Sequence, residues 1–320
     1  MVVVVPLLVG MIEAGITTWS DNVPPEPHSS WVSLSSPELR AQIDPLGAQL
    51  STLQDREGRD LLWGGDPAVW AGRAPLLFPI IGELSGGRYR IGSTEYLLPR
   101  HGFARRRQFT LLSSTAGEAV FRLTADEATL QVYPFRFELD VRFSLQGAAL
   151  NVVTSVRNLG TGSLLASFGY HPALRWPLPL GGARAEHFIE FEVDEPAPVR
   201  RLDGNGLLTP VRYPTPVSGR RLALTDDLFV GDALIFDAVR SRSVTYGAAA
   251  AAARIRVSYG DAPYLGVWTK PGAGFICIEP WHGIADPEGF SGELAAKPGV
   301  FAVAAGGERL VEIGIELIGR

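Results

Sequence analysis

Cysteine occurs once and methionine twice in this chain of 320 residues, and basic residues are fewer than acidic ones. The single thiol, Cys277, excludes an internal disulfide and any zinc site built from cysteines. Nothing calls for an oxidising compartment, and the cytoplasm is the expected location. With 29 Lys and Arg against 34 Asp and Glu, the formal net charge is -5. Nucleic acids and anionic membranes select clustered basic charge, and Arg105-Arg106-Arg107 is too short a run to supply it. No nucleic-acid or membrane partner is expected.

Apolar runs of spanning length are missing too. "MVVVVPLLVGMIEAG" reaches Glu13 well short of the roughly 20 apolar residues a spanning helix needs, and no basic stretch precedes it as a signal peptide would require. "SDNVPPEPHSS" follows, rich in Pro, Ser and Asp, so residues 1–30 read as an appendage ahead of the folded part. Past residue 31 there is no linker-like stretch and no repeat of fixed period, and residues 31–320 read as a single domain. An alanine run from Ala248 to Ala253 reads as a loop without side-chain chemistry.

Helical periodicity is also absent, since no segment sustains an apolar repeat of about 3.6 over three turns. What is present has a period of two. In "FRFELDVRFSL", Phe135, Phe137, Leu139, Val141, Phe143 and Leu145 alternate with charged or polar residues, which sends one set inward and the other to water. "ALNVVTSVRN" (149–158) repeats the pattern and is followed by the turn-rich "NLGTGS", so the two runs read as a hairpin. "RLVEIGIELIG" ends the chain as a strand, and shorter strand-like runs fall at 38–44, 48–53, 118–124 and 254–259. Many short strands without intervening helices predict an all-β fold, a large antiparallel sandwich or barrel.

Motifs that announce a chemistry are likewise missing. There is no G-x-S-x-G elbow, no P-loop and no G-x-G-x-x-G after a strand. No pair of His, Asp, Glu or Cys has the short spacing typical of a metal site, so neither metal nor cofactor is expected. What remains is histidine with carboxylate, the equipment for moving protons. His101 in "LPRHGFARRRQF" and His171 in "SFGYHPALRWPL" sit among Gly, Pro and aromatic residues, as does His282, whereas His28 and His187 do not. Each of the first two reads equally well as a loop or strand-end histidine that satisfies backbone groups.

In "GFICIEPW" both faces of a strand are apolar, with Phe275, Cys277 and Glu279 on one and Ile276 and Ile278 on the other, which predicts a central strand. A carboxylate there is costly to bury unless the strand ends at it and it faces a cleft. Desolvation by Trp281 would raise its pKa. Trp63, Trp70, Trp176, Trp268 and Trp281 all lie in or beside Gly/Pro-rich stretches. Most tryptophans only pack, but an indole face also suits the C–H face of a sugar.

Four stretches in order, "RAPLLFPIIGEL", "LPRHGFARRRQF", "FGYHPAL" and "FICIEPWHGIAD", resemble the aldose 1-epimerase (galactose mutarotase-like) family over about residues 36 to 319. They are most like its bacterial branch of short proteins with H-G-F-A-R and G-x-H-P-A. The resemblance implies a galactose mutarotase-like supersandwich with few short helices. It also implies a cofactor-free interconversion of the α and β anomers of a free sugar in an open cleft. By similarity Glu279 is the base that takes the C1 hydroxyl proton, and His171 is the acid that protonates the ring oxygen. His101 resembles the second family histidine, and Trp281 is a further candidate for substrate contact. Arg73 resembles the substrate-binding arginine. Asp232 resembles the hydroxyl-binding carboxylate, with Asp227 as the alternative. This division of labour asks for an ionised Glu279 and a protonated His171, most easily with a raised imidazole pKa.

Hexose 6-phosphates are an alternative substrate class, with Arg73, Arg100, Arg105 and Arg175 as candidates to hold the phosphate. A non-catalytic carbohydrate-binding protein is the alternative from another class. It needs hydroxyl readers and an aromatic platform but not both Glu279 and His171. A sugar lyase or hydrolase on a similar sandwich is weaker, because such enzymes usually carry further domains. Nothing in the sequence assigns an oligomeric state or a role to His282.

Overall fold

The computed structural model describes residues 30–319. The expected appendage and His28 therefore lie outside the described residues, apart from Ser30. One nine-stranded antiparallel sheet runs, edge to edge, through Arg221–Ala223, His187–Phe191, Ser243–Ala248, Arg254–Ser258, Glu308–Ile318, Ala149–Asn158, Phe137–Gln146, Glu118–Thr124 and Thr110–Ser114. Its long strands are those that alternate in the sequence. Phe137, Leu139, Val141, Phe143 and Leu145 are buried, while Arg142 and Gln146 face outward. Gly147-Ala148 closes the hairpin to Ala149–Asn158, and Gly147 supplies the left-handed φ of +56° that the tight turn requires. The alanine run forms the end of Ser243–Ala248 and the turn into Arg254–Ser258.

A second sheet contains Leu234–Phe236, Tyr264–Trp268, Phe275–His282, Phe168–Tyr170 and Leu76–Leu77, with Ala173–Arg175 also paired to Phe275–His282. It packs face to face on the first, which makes the fold the expected antiparallel sandwich. Phe78 lies 5.2 Å from Phe137 between ring centroids, and Phe191 lies 5.1 Å from Phe236. Ile276 and Ile278 enter this main core, as do Leu265 and Val267. Helix is confined, among the described residues, to Glu127–Val132 and short 3₁₀ turns. That helix starts at a capping box in which Asp126 accepts from the Thr129 amide and the Thr129 hydroxyl accepts from the Asp126 amide.

Phe275–His282 is buried along its whole length because it is covered on both faces. Opposite the main core, Phe275 and Cys277 join Trp63, Ala173 and Ala273, and Trp281 joins Leu77, Ile81, Ile235 and Ala285. Loops cover this outer face incompletely, and the gap between them is the site.

Candidate active site

Phe168–Tyr170 and Ala173–Arg175 pair with Phe275–His282 in one continuous register, interrupted at His171-Pro172. Proline has no N–H for the ladder. The His171 amide turns instead to the Pro75 carbonyl at 3.1 Å. Since the register is unbroken across the gap, His171 falls opposite Glu279 on the same face. The two side chains meet with Nε2 3.1 Å from Oε2. Alignment is not that of a hydrogen bond: Glu279 Oε2 and His171 Nδ1 are both buried without a hydrogen-bond partner.

The expectation that a strand ends at Glu279 is corrected. The strand continues to His282, and Glu279 reaches the cleft from its middle. Space comes from the two neighbours, the interrupted strand on one side and Gly266, the residue paired with Glu279, on the other.

Trp281, two residues on and on the same face, forms the floor. A Cβ on Gly266 would lie 2.4 Å from its ring, and one on Gly169 would lie 2.6 Å from its Cδ1. The indole thus lies flat over both neighbouring strands, and only glycine beneath it permits this. Trp70 stacks on the His171 ring at 5.1 Å and 30°, and Trp268 meets it edge-on at 5.8 Å.

His101 stands at right angles to His171 with ring centroids 6.1 Å apart. It has a left-handed φ of +67° and is clamped to Gly82, donating its amide to the Gly82 carbonyl at 3.0 Å while Nδ1 accepts from the Gly82 amide at 3.1 Å. A neutral ring held through Nδ1 carries its proton on Nε2, as a donor for the cleft. Gly102 follows because a Cβ there would lie 2.3 Å from the Phe78 carbonyl oxygen.

Asp232 lines the cleft and Asp227 does not. The Asp232 backbone is left-handed at φ +65°, with Oδ1 accepting from the Ala233 amide at 2.6 Å and its carbonyl accepting from Arg201 at 2.9 Å. Arg100 approaches its Oδ2 at 4.0 Å. Arg73 does not line the cleft. Its Nε donates to the Gly64 carbonyl at 2.9 Å and its guanidinium lies 5.2 Å from the Trp31 ring, so it is held by backbone and indole outside the cleft lining. Arg175 is also outside, 3.7 Å from Asp60. Arg100, Arg105 and Arg106 are among the residues lining a cleft of about 540 Å³.

Gln49 and Arg106 also line the cleft and were not legible as site residues. Gln49 begins an ordinary alternating strand, and its Oε1 accepts from the amides of Arg73 and Ala74 at 3.1 and 3.2 Å. Trp70 and Trp268 carried a signal only as members of the tryptophan set. His282 projects from the opposite face of its strand, against Phe301 and 3.5 Å from Asp261, and burial pushes its pKa down to about 4. His187 accepts from the Leu178 amide through Nε2, with Nδ1 2.9 Å from the Ala183 carbonyl, as a structural histidine should.

Burial pushes Glu279 well above the usual carboxylate range, and the Asp232 charge adds to this, against Arg100 and the Trp281 indole N–H. Burial pushes His171 down, and Arg105 and Arg100 push it the same way. His101 is lowered by burial and by Arg105. The raised imidazole pKa expected for His171 is therefore corrected: a desolvated ring facing guanidinium groups favours its neutral form. A protonated Glu279 beside a neutral His171 nonetheless holds as many protons as the ion pair. The two states differ by the position of one proton between groups 3.1 Å apart. Among the described residues, His171, Cys277 and Glu279 also form a set of metal-donor groups, with one ligand atom of each within 4.8 Å of the others.

The class is thus an antiparallel β-sandwich with a carboxyl and an imidazole in contact in a cleft on one sheet, and comparison with known proteins narrows it. Residues 30–296 match the model of the aldose 1-epimerase family, and the chain belongs to that family. Protein LacX of Lactococcus lactis subsp. lactis, in its chromosomal form, is 34% identical over 281 residues, spanning 85% of this chain and 94% of LacX. A galactose mutarotase related enzyme from Lactobacillus acidophilus superposes with a TM-score of 0.83 at 28% identity, covering 90% of this chain and 97% of its own. A galactose mutarotase-like protein from Lactobacillus casei gives 0.84 at 27% identity, covering 90% and 100%. The family that the sequence resembles is thus the one it belongs to, and the fold it implied is the one observed.

Proposed function

We propose that the protein is an aldose 1-epimerase, interconverting the α and β anomers of a free aldose by ring opening and closure with no cofactor. The 3.1 Å contact between His171 and Glu279 in the wall of the cleft carries this reading. The anomeric hydroxyl and the ring oxygen are bonded to one carbon, so the acid and the base that serve them must lie side by side. In the ionised form of the pair, Glu279 takes the C1 hydroxyl proton while His171 gives one to the ring oxygen, and the C1–ring oxygen bond opens. Rotation about C1–C2 presents the other carbonyl face. Ring closure returns both protons with the roles reversed, which leaves the pair as it began. His101 Nε2–H and Asp232 are suited to hold hydroxyls, and Trp281 to receive the apolar face of the ring. The test is anomer exchange by NMR over a panel of aldoses. Exchange accelerated above the buffer rate supports the reading, and tight binding without exchange replaces it with a carbohydrate-binding protein.

A second reading, a hexose-6-phosphate 1-epimerase, is favoured by Arg100, Arg105 and Arg106, which line the same cleft. Guanidinium forks suit phosphate oxygens. Exchange measured on a hexose and its 6-phosphate in parallel separates the two by kcat/KM.

Two further outcomes are expected. Gly266→Ala must lift the Trp281 indole, and an aromatic contact worth about 0.5–1.5 kcal/mol corresponds to a KM rise of up to about tenfold. An unchanged KM would remove the indole from sugar binding. In the pH profile of kcat/KM, the alkaline limb marks loss of the proton shared by the pair. Asp232 helps to hold that proton by raising the Glu279 pKa, so Asp232→Asn is expected to move the limb to lower pH. A limb that stays put would mean the Asp232 charge is not felt at Glu279.

A further inference from the structure

We propose that His171, Cys277 and Glu279 bind a thiophilic divalent cation such as Zn²⁺, and that the bound cation blocks the proton-transfer pair. The blocking half rests on the function proposed above, whereas the binding half does not. Cys277 and Glu279 project from the same face of Phe275–His282, and His171 comes from the register position opposite Glu279. All three donors are therefore carried by backbone at or within paired strands, and one ligand atom of each lies within 4.8 Å of the others.

Zinc bonds of about 2.0–2.3 Å in a tetrahedron place donors roughly 3.3–3.8 Å apart. His171 Nε2 and Glu279 Oε2 are 3.1 Å apart, and closing the set requires the donors, now within 4.8 Å of one another, to draw in to that spacing. The donors are nitrogen, sulfur and oxygen, which suits zinc and its neighbours rather than calcium or magnesium. Cys277 is a free thiol whose pKa is pushed up by burial and by Glu279, so binding must release its proton, and Glu279 Oε2, on a side chain 2% exposed, has no hydrogen-bond partner. Trp63, Ala173 and Phe275 surround the thiol with apolar groups that exclude competing water. His171 and Glu279 line the cleft, from which the cation would enter, and Cys277 lies buried behind them. Coordination occupies the lone pairs with which His171 and Glu279 would move protons.

Co²⁺ is the probe for the binding half, added to the purified full chain after chelator treatment. One equivalent is expected to give a thiolate-to-cobalt charge-transfer band that Zn²⁺ abolishes. Cys277→Ser is expected to lack the band and to bind Zn²⁺ at least tenfold more weakly, and circular dichroism and Tm check that it is folded. Absence of the band in the unaltered protein, or equal Zn²⁺ affinity in Cys277→Ser, overturns the site. For the blocking half, Zn²⁺ is expected to inhibit anomer exchange in competition with the sugar, with the inhibition constant raised at least tenfold in Cys277→Ser relative to that variant's own rate. Exchange that continues undiminished with the metal bound overturns it. If the protein exchanges no sugar at all, the function above fails while the cobalt spectrum still decides the site.

Discussion

Glu279→Gln is expected to reduce anomer exchange by roughly 10²–10⁴-fold, the range of one positioned proton-transfer group, while the fold and Tm stay close to those of the unaltered protein. Glutamine keeps the size of the side chain and removes its proton chemistry. Folding should not suffer, because burial already favours the neutral form of Glu279 and a neutral amide costs less to desolvate than a carboxylate. His171→Asn is expected to fall in the same range. Since the two groups are in contact and act on the same sugar, the double variant should lose less than the product of the single losses. Polarimetry or NMR exchange on an accepted sugar reads all three. Wild-type rates in either single variant would remove that residue from the chemistry.

The largest effect on stability is expected behind the cleft. Lys297 Nζ lies 2.7 Å from Asp286 Oδ1, with side chains 1% and 2% exposed. Burial pushes the lysine pKa down, and Asp286 pushes it back up. Asp286 also accepts from the Ser85 amide at 2.9 Å and donates its own amide to the Glu83 carbonyl at 3.0 Å. The loop it pins continues directly from Gly82, to which His101 is clamped. Asp286→Ala strands a buried ammonium, a change that costs about 3–5 kcal/mol. At about 2–4 °C per kcal/mol for a large domain, the Tm should fall by roughly 10 °C. Adding Lys297→Met to Asp286→Ala should recover part of this, since the stranded charge is then gone. Differential scanning fluorimetry reads the series, and a single variant as stable as the parent would mean that the pair is hydrated.

The strands and the family were legible because both are local properties. Alternation in Phe137–Gln146 and Ala149–Asn158 is dictated residue by residue by which side meets water. The four motifs keep their order along the chain whatever their spatial arrangement. His171, Glu279, His101 and Asp232 could be named from them, and the structure brings all four to one cleft. The misplaced strand end at Glu279 had a physical source. A single strand shows which face a carboxylate shares, but not whether its neighbours are broken or carry glycine.

By itself, the sequence determined that this is a β-rich chain with histidine and carboxylate as its main proton-moving equipment, because period-two burial and residue chemistry are written in consecutive positions. Tertiary structure alone decided that His171 meets Glu279, that Asp232 and not Asp227 reaches the cleft, and that Arg73 turns away toward Gly64 and Trp31. It also set the direction in which the pKa values of the central pair move. Desolvation and the fields of Arg100, Arg105 and Asp232 are sums over groups from separate parts of the chain, and only folding brings those groups together.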